Sequence, residues 1–172
     1  RGVPVISLST GMKRRLIFAR ALINKPLILL LDEPTTGLDP QARHLVWDEV
    51  RYLKKQQVTI ILTTHYMDEA QILCDRILII DKGKIIEEGT PTELIKKHVG
   101  REVLELDYDE KLVSQLKETF SGSRIERLGD RLQIFTDKPH GVFDSFLSEY
   151  TPQNVSIRNA NLEDVFLKLT GR

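Results

Sequence analysis

The sequence predicts an α/β protein in which a parallel sheet is followed by a small α+β region. Two apolar runs indicate the sheet, "LILLL" at 27–31 and "VTIILTT" at 58–64. A segment with helical periodicity, roughly 40–56, separates them, and parallel strands need such a crossover. Beyond residue 100 the pattern becomes strand, helix, strand, strand, helix, strand and a final helix. That order is typical of the ferredoxin-like (βαββαβ) arrangement.

A capped helix is predicted near the start of the chain, within "LSTGMKRRLIFARALINKP" (8–26). Either Ser9 or Thr10 can be its N-cap, because a hydroxyl there accepts a hydrogen bond from an otherwise unpaired backbone N–H. Four apolar residues recur at helical spacing, and we expect them to form its buried face: Met12, Leu16, Ala19 and Ile23.

The run 27–31 shows no polar alternation, which is typical of a strand buried on both faces of a parallel sheet. The helix that follows begins at Pro40. Its expected inward residues are Ala42, Leu45, Val46, Val50 and Leu53. The run 58–64 then completes a β-α-β unit.

Smaller elements are predicted on either side of residue 100. A short helix at 66–73 is followed by a hairpin of "RILIID" and "KIIEEG" and by a helix at 91–98. After Gly100, "EVLELD" alternates like a half-buried strand and begins the βαββαβ series. We therefore predict two domains, residues 1–100 and 101–172.

The composition excludes some classes of function. The chain has 172 residues with 25 Lys+Arg and 25 Asp+Glu, so it lacks the basic excess of a typical nucleic-acid binder. Its single cysteine, Cys74, cannot form an internal disulfide, which favours a reducing compartment. No apolar run approaches the roughly 20 residues that span a bilayer. Because the chain begins with Arg1 and not Met, we interpret it as part of a longer protein.

Two adjacent carboxylates follow the first apolar run. Asp32 and Glu33 end that run, and His65 ends the second one. Ligand sites of open parallel sheets lie beyond the carboxyl ends of the strands, so we expect these three side chains to meet at one sheet edge. Neighbouring carboxylates repel each other, which favours a cation at this edge. The alternative interpretation is an ordinary solvated turn at "DEP".

Four motifs, in this order, resemble those of the nucleotide-binding domain of ATP-binding cassette (ABC) transporters. "LSTGM" (8–12) resembles the signature motif, and "LILLLDEP" (27–34) resembles the Walker B strand with its following glutamate. "TTGLD" (35–39) resembles the D-loop, and "TTH" (63–65) resembles the segment with the switch histidine. "GMKRRL" and the terminal "NLEDVFLKLTGR" resemble the branch that energises ABC-2-type exporters.

The resemblance implies a partial P-loop NTPase-type parallel sheet, namely the second half of an ABC nucleotide-binding domain. The Walker A half is expected upstream, because the chain contains no G-x-x-x-x-G-K-[ST] phosphate loop. ATP and Mg²⁺ are the implied cofactors. We accordingly predict that this chain alone neither binds nor hydrolyses Mg-ATP.

The resemblance also implies a role for each residue at the sheet edge. Asp32 would hold Mg²⁺, through water, and Glu33 would act as general base towards the attacking water. His65 would contact the γ-phosphate and position that water. Asp39 would lie at the dimer interface.

The signature stretch is implied to serve ATP bound to the partner subunit. Ser9, Thr10 and Gly11 would contact its γ-phosphate, because a helix N-terminus offers backbone N–H groups and a partial positive charge. The stretch departs from the commonest signature at two positions. Thr10 stands where glycine is usual, and Met12 stands where glutamine is usual.

The implied partners are a second copy of the ATPase subunit, arranged head to tail, and an integral membrane permease for export, with no nucleic acid. The implied location is the cytoplasmic face of the cell membrane. Two alternatives remain: a soluble ABC ATPase without a permease, and an inert fragment whose C-terminal domain regulates or dimerises. We expect residues 101–172 to be dispensable for the chemistry, because no motif residue lies beyond His65.

Overall fold

The computed structural model describes residues 4–137, 140–150 and 154–171, and for a few of these, Thr10 among them, only the backbone is described. The chain divides into two compact units, residues 1–74 (the N-terminal unit) and 75–172 (the C-terminal unit). The domain boundary that we place near Gly100 stays a prediction.

The N-terminal unit is built around the β-α-β unit that the sequence predicts. Its elements are a 3₁₀ turn (Val5–Ser7), α1 (Thr10–Leu22), β1 (Ile28–Asp32), α2 (Pro40–Lys55), β2 (Thr59–Thr63) and α3 (Met67–Leu73). The strands β1 and β2 pair in parallel, in a register that sets Ile28 opposite Thr59 and Asp32 opposite Thr63. The last residues of the two strands therefore lie side by side.

The core of this unit forms between α2 and one face of the sheet. Leu29 and Leu31 of β1 pack in one cluster with the buried residues of α2, which are Val46, Trp47, Val50 and Leu53. Three of these α2 residues are among the predicted inward ones. Leu45, also predicted inward, is 50% exposed, while Trp47 takes its place.

Two burial predictions for this unit are wrong. The strand β1 is buried on one face only, since Ile28 and Leu30 are 61% and 71% exposed. The reason is that, among residues 4–74, the helices that contribute to the core cluster all contact the face with Leu29 and Leu31.

The predicted buried face of α1 is also wrong. Among the side chains of this helix that the structure describes, Phe18 is the buried one, with Leu22 packed beside it, whereas all four predicted residues are exposed: Met12, Leu16, Ala19 and Ile23. The helix carries apolar residues on more than one face, so helical spacing alone does not identify the side that meets the core.

The C-terminal unit contains the predicted hairpin and the βαββαβ series of elements. Its elements are β3 (Ile77–Asp81), β4 (Lys84–Gly89), α4 (Pro91–His98), β5 (Glu102–Asp107), α5 (Glu110–Thr119), β6 (Arg124–Leu128), β7 (Arg131–Thr136), α6 (His140–Glu149), β8 (Ser156–Asn159) and α7 (Leu162–Thr170). β5 to β8 form an antiparallel sheet in the order β6-β7-β5-β8, and β3 pairs with β4.

One face of this four-stranded sheet carries a closed apolar core. Leu104 and Leu106 of β5 are fully buried, together with Phe120 at the end of α5 and Phe143 of α6. The rings of Phe120 and Phe143 lie 5.6 Å apart.

None of the helices in the described ranges combines the length and the apolar character needed to cross a membrane.

Candidate functional site

The sheet edge of the N-terminal unit brings together the three residues that the sequence places there. Asp32 is the last residue of β1 and pairs with Thr63, the last residue of β2. The Thr63 hydroxyl donates a hydrogen bond to Asp32 Oδ1. His65 follows two residues later, at the same edge. The parallel register of the two strands produces this proximity.

Glu33 is held in an uncommon backbone conformation directly after β1. Its φ of 43° lies in the left-handed region, which costs a non-glycine residue about 1–3 kcal/mol and persists only where the surroundings enforce it. Two contacts do so, because the backbone N–H of Glu33 donates to the carbonyl oxygen of Thr63 at 3.0 Å and to its hydroxyl at 3.1 Å. The end of β2 therefore fixes the direction in which the Glu33 side chain leaves the sheet.

The Glu33 carboxylate is held at both of its oxygens. Oε1 lies 3.2 Å from His65 Nδ1, and Oε2 accepts a hydrogen bond from the Thr36 hydroxyl at 3.0 Å. The side chains of Glu33 and His65 are 47% and 54% exposed. A carboxylate that is oriented on two sides and open to water can take a proton from a water molecule.

The acidic edge offers few ligands to a metal ion. Among the described residues, no cluster of three or more His, Cys, Asp or Glu side chains could hold one. Asp32 at the strand end is a single carboxylate beside a threonine hydroxyl. Such a set suits Mg²⁺, which is commonly held by one or two carboxylates while water and substrate phosphate supply the other ligands.

A second concave region lies where the N-termini of α1 and α2 approach each other. Ser9 is the N-cap of α1 and accepts a hydrogen bond from the Met12 N–H at 3.2 Å, as predicted. Asp39 is the N-cap of α2 and accepts from the Ala42 N–H at 2.9 Å. The cavity of about 350 Å³ is lined by Ser9, Gly11, Met12, Gly37, Leu38, Asp39 and Ala42.

Two helix N-termini that face one cavity offer backbone N–H groups and partial positive charge to an anion. Gly37 adopts a φ of 76° in the loop before α2, a conformation that favours glycine. The predicted residues Ser9, Gly11 and Asp39 thus share one cavity, while the Thr10 side chain lies outside the described part of the chain.

Sequence reasoning missed the contacts that join α2 to α3. The Trp47 indole N–H donates to Glu69 Oε1 at 2.9 Å, and these side chains are 4% and 0% exposed. Closer to the sheet edge, the guanidinium of Arg43 lies over the Tyr66 ring and pairs with Asp68. The presence of a single tryptophan could have indicated a buried residue at position 47, but nothing in the spacing identified Glu69 as its partner.

Family profiles match both parts of the chain. Residues 110–171 match the profile described as "Nodulation factor export protein NodI, C-terminal domain". Residues 1–67 match the profile described as "AAA domain, putative AbiEii toxin, Type IV TA system".

Curated relatives match nearly the whole chain. The "Nod factor export ATP-binding protein I" of Mesorhizobium japonicum is 48% identical over 98% of this chain and 49% of its own length. The proteins of that name from Burkholderia thailandensis and Rhizobium johnstonii are 48% and 47% identical, and each match covers 54% of the relative. The chain therefore spans about half the length of the curated relatives it matches.

Among solved structures, an ATP-binding cassette of an ABC transporter is 30% identical. The match covers 54% of this chain and 37% of the solved chain, with a TM-score of 0.49.

Proposed function

The chain is homologous, over about half of their length, to the ATP-binding subunits of ABC transporters, and from this premise we propose that the whole protein hydrolyses ATP to drive an exporter. Export is the activity in the names of the curated relatives. The observation that carries the proposal is the 3.2 Å contact between Glu33 and His65, which joins the ends of two parallel strands at an edge that is open to water.

Glu33 is the general base in this proposal. Its carboxylate takes a proton from water while the water oxygen forms a bond to the γ-phosphorus of ATP. The bond from that phosphorus to the bridging oxygen breaks, and ADP and phosphate result. The contacts of Glu33 with Thr36 and His65 support this role, because a base that is already oriented needs no rearrangement at the moment of reaction.

His65 orients the attacking water and contacts the γ-phosphate. Its Nδ1 is engaged by Glu33, and in the imidazolium form Nε2–H can donate to a phosphate oxygen. Phosphoryl transfer needs little covalent chemistry from the protein, so such positioning accounts for most of the rate.

Asp32 holds the magnesium shell. The hydrogen bond from Thr63 orients its carboxylate, and a single carboxylate fits an ion whose other ligands are water and phosphate. When bound, Mg²⁺ supplies charge neutralisation on the phosphates and relieves the repulsion between Asp32 and Glu33.

The cavity between α1 and α2 serves the nucleotide of a second copy of the subunit. Ser9, Thr10 and Gly11 offer the N-terminus of α1 to the γ-phosphate, and Asp39 lies at the interface between the copies. The two copies are arranged head to tail. They act on a membrane permease from the cytoplasmic side.

The test is to replace Glu33 by glutamine in the whole protein. Glu33→Gln keeps the shape of the side chain and removes the base, so we expect ATP turnover to fall about 100- to 10,000-fold while ATP binding persists. His65→Ala should also lower turnover with little effect on binding. Glu118→Gln, an exposed carboxylate near the end of α5, is the matched control and should leave turnover unchanged.

Wild-type-like turnover by Glu33→Gln would remove Glu33 from the mechanism. A loss of binding and turnover together in His65→Ala would instead assign that histidine a structural role.

A further inference from the structure

We propose that Arg43 and Tyr66 are positioning residues that hold the His65 ring and couple it to the start of α2. The inference rests on the proposed function, in which His65 orients the attacking water. Arg43 and Tyr66 lie outside the four motifs, and they link the cavity at Asp39 to the sheet edge within the N-terminal unit.

The first link is the contact between two neighbouring rings. The centroids of the His65 and Tyr66 rings lie 4.2 Å apart, with an angle of 40° between their planes. Within the described residues, the other polar contact of the His65 ring is that of Nδ1 with Glu33, and the side chain is about half exposed. Rotation about the last side-chain torsion of histidine is broad and only weakly restricted. The Tyr66 ring supplies that restriction.

The second link is a cation over the Tyr66 ring. The guanidinium carbon of Arg43 lies 4.4 Å from the ring centroid, within the distance at which a cation is attracted to an aromatic face. Arg43 Nη1 also lies 3.5 Å from Asp68 Oδ2, in the first turn of α3. Arg43 therefore contacts both the residue after His65 and the helix that follows, which gives the Tyr66 ring a second contact.

The third link connects Arg43 to the cavity between α1 and α2. Its backbone N–H donates to the carbonyl oxygen of Asp39 at 2.9 Å, so the two residues are one helical turn apart. A displacement of the α2 N-terminus therefore displaces Arg43. In the proposed dimer, Asp39 faces the second copy. A contact there would reach His65 through Arg43 and Tyr66.

The links act within a rigid frame, because α2 and α3 are joined at two further points. Trp47 donates to the fully buried Glu69, and the Lys54 ammonium donates to the Leu73 carbonyl oxygen at 2.7 Å. These contacts lie further along α2 and hold its backbone against α3, so the two helices keep the Arg43 backbone close to Tyr66.

The kinetic test replaces each link in the whole protein. Arg43→Met keeps the chain length and removes the charge, and Tyr66→Leu removes the ring. For each we expect kcat to fall between about 10- and 100-fold, since a small misplacement of a catalytic group has effects of that size. The KM for ATP should stay within about twofold, because ground-state binding is unaffected.

Conservative variants and matched controls separate positioning from a loss of fold. Arg43→Lys keeps a cation and Tyr66→Phe keeps a ring, so both should restore most of kcat. Arg51→Met removes an arginine that pairs with Asp48 on the exposed surface of α2, and it should leave kcat unchanged. Tyr52→Leu, a half-exposed tyrosine of the same helix, is the control for Tyr66→Leu.

The second readout is the NMR spectrum of the His65 ring in the same proteins, which does not depend on turnover. Stacking on Tyr66 shifts the ring protons, so Tyr66→Leu and Arg43→Met should move these signals towards free histidine while the controls leave them in place. Unchanged His65 signals, or a raised KM with unchanged kcat, would overturn the inference. If the wild-type protein does not hydrolyse ATP, the proposed function fails, and the NMR result alone decides whether Arg43 and Tyr66 hold the ring.

Discussion

The parallel sheet of the N-terminal unit and the four-stranded sheet of the C-terminal unit differ in how completely they are buried. In the C-terminal unit, Leu104, Ile134 and Phe143 are 0% exposed within one closed cluster. In the N-terminal unit, the apolar side chains of β1 are alternately buried and exposed along the strand, and Leu30 is 71% exposed. The residues of the candidate site belong to the unit with the less complete core.

The closed core and the candidate catalytic residues therefore belong to different units of the chain. A sheet with one covered face exposes apolar area that other surfaces have to cover, and the chemistry at its strand ends then depends on that additional packing. The four-stranded sheet of the C-terminal unit has no such requirement, since it buries its central residues within residues 75–172, although Ile80 of β3 and Ile85 of β4 in the same unit are exposed. It can therefore serve as a stable module.

The largest expected effect comes from expressing the two units separately. We expect residues 75–172 to unfold in one cooperative thermal transition, because their core is closed. We expect residues 1–74 to show no cooperative transition and to bind a hydrophobic dye, since below about 70–80 residues one small core rarely supplies enough stability. Circular dichroism melts of both pieces, with the 172-residue chain as reference, test this. A sharp two-state melt of residues 1–74 would contradict the comparison.

A single-residue version of the comparison uses two large-to-small changes in the 172-residue chain. Phe143→Ala should destabilise the C-terminal unit by about 3–5 kcal/mol, because the ring is fully buried and leaves a cavity. Leu30→Ala should change the stability of the N-terminal unit by less than about 0.5 kcal/mol, because that side chain is mostly in solvent. Urea unfolding measures both changes. Similar costs at the two sites would show that Leu30 is packed in solution.

The smallest expected effect is a dependence on pH that belongs to the C-terminal unit. Hydrogen bonds from the Lys97 ammonium, the Glu88 backbone N–H and the His98 ring lower the pKa of Glu87 from its ordinary value of 4.5 to about 2. A carboxyl with a lowered pKa in the folded state stabilises that state above the unfolded pKa. Its contribution is present above about pH 4.5 and is lost as the pH falls towards 2.

The measurement compares Glu87→Gln with the wild type by urea unfolding across this range of pH. The wild type should be the more stable protein above pH 4.5, and the difference should shrink towards pH 2. Glu118→Gln is the control, because Glu118 is exposed. A difference in stability that does not change with pH would show that the charge of Glu87 contributes nothing.

Much of the local structure followed from patterns along the chain. Apolar runs identified β1 and β2, and helical spacing identified α2 between them. The hydroxyls before a helical segment limited its N-cap to Ser9 or Thr10, and the structure selects Ser9. The meeting of Asp32, Glu33 and His65 was also predictable, because parallel strands joined by one crossover present their carboxyl ends at the same edge. These features depend on backbone periodicity and strand direction, which neighbouring residues specify.

The remaining features depended on how the elements dock. Periodicity shows which residues share a face of α1, but the position of the core decides that Phe18 and not Met12 is buried. The left-handed Glu33 needs the end of β2 to hold its N–H, and Arg43 reaches Tyr66 only because α3 packs on α2. Such contacts join residues 20 or more positions apart, and their distance in space is set by packing against the common core.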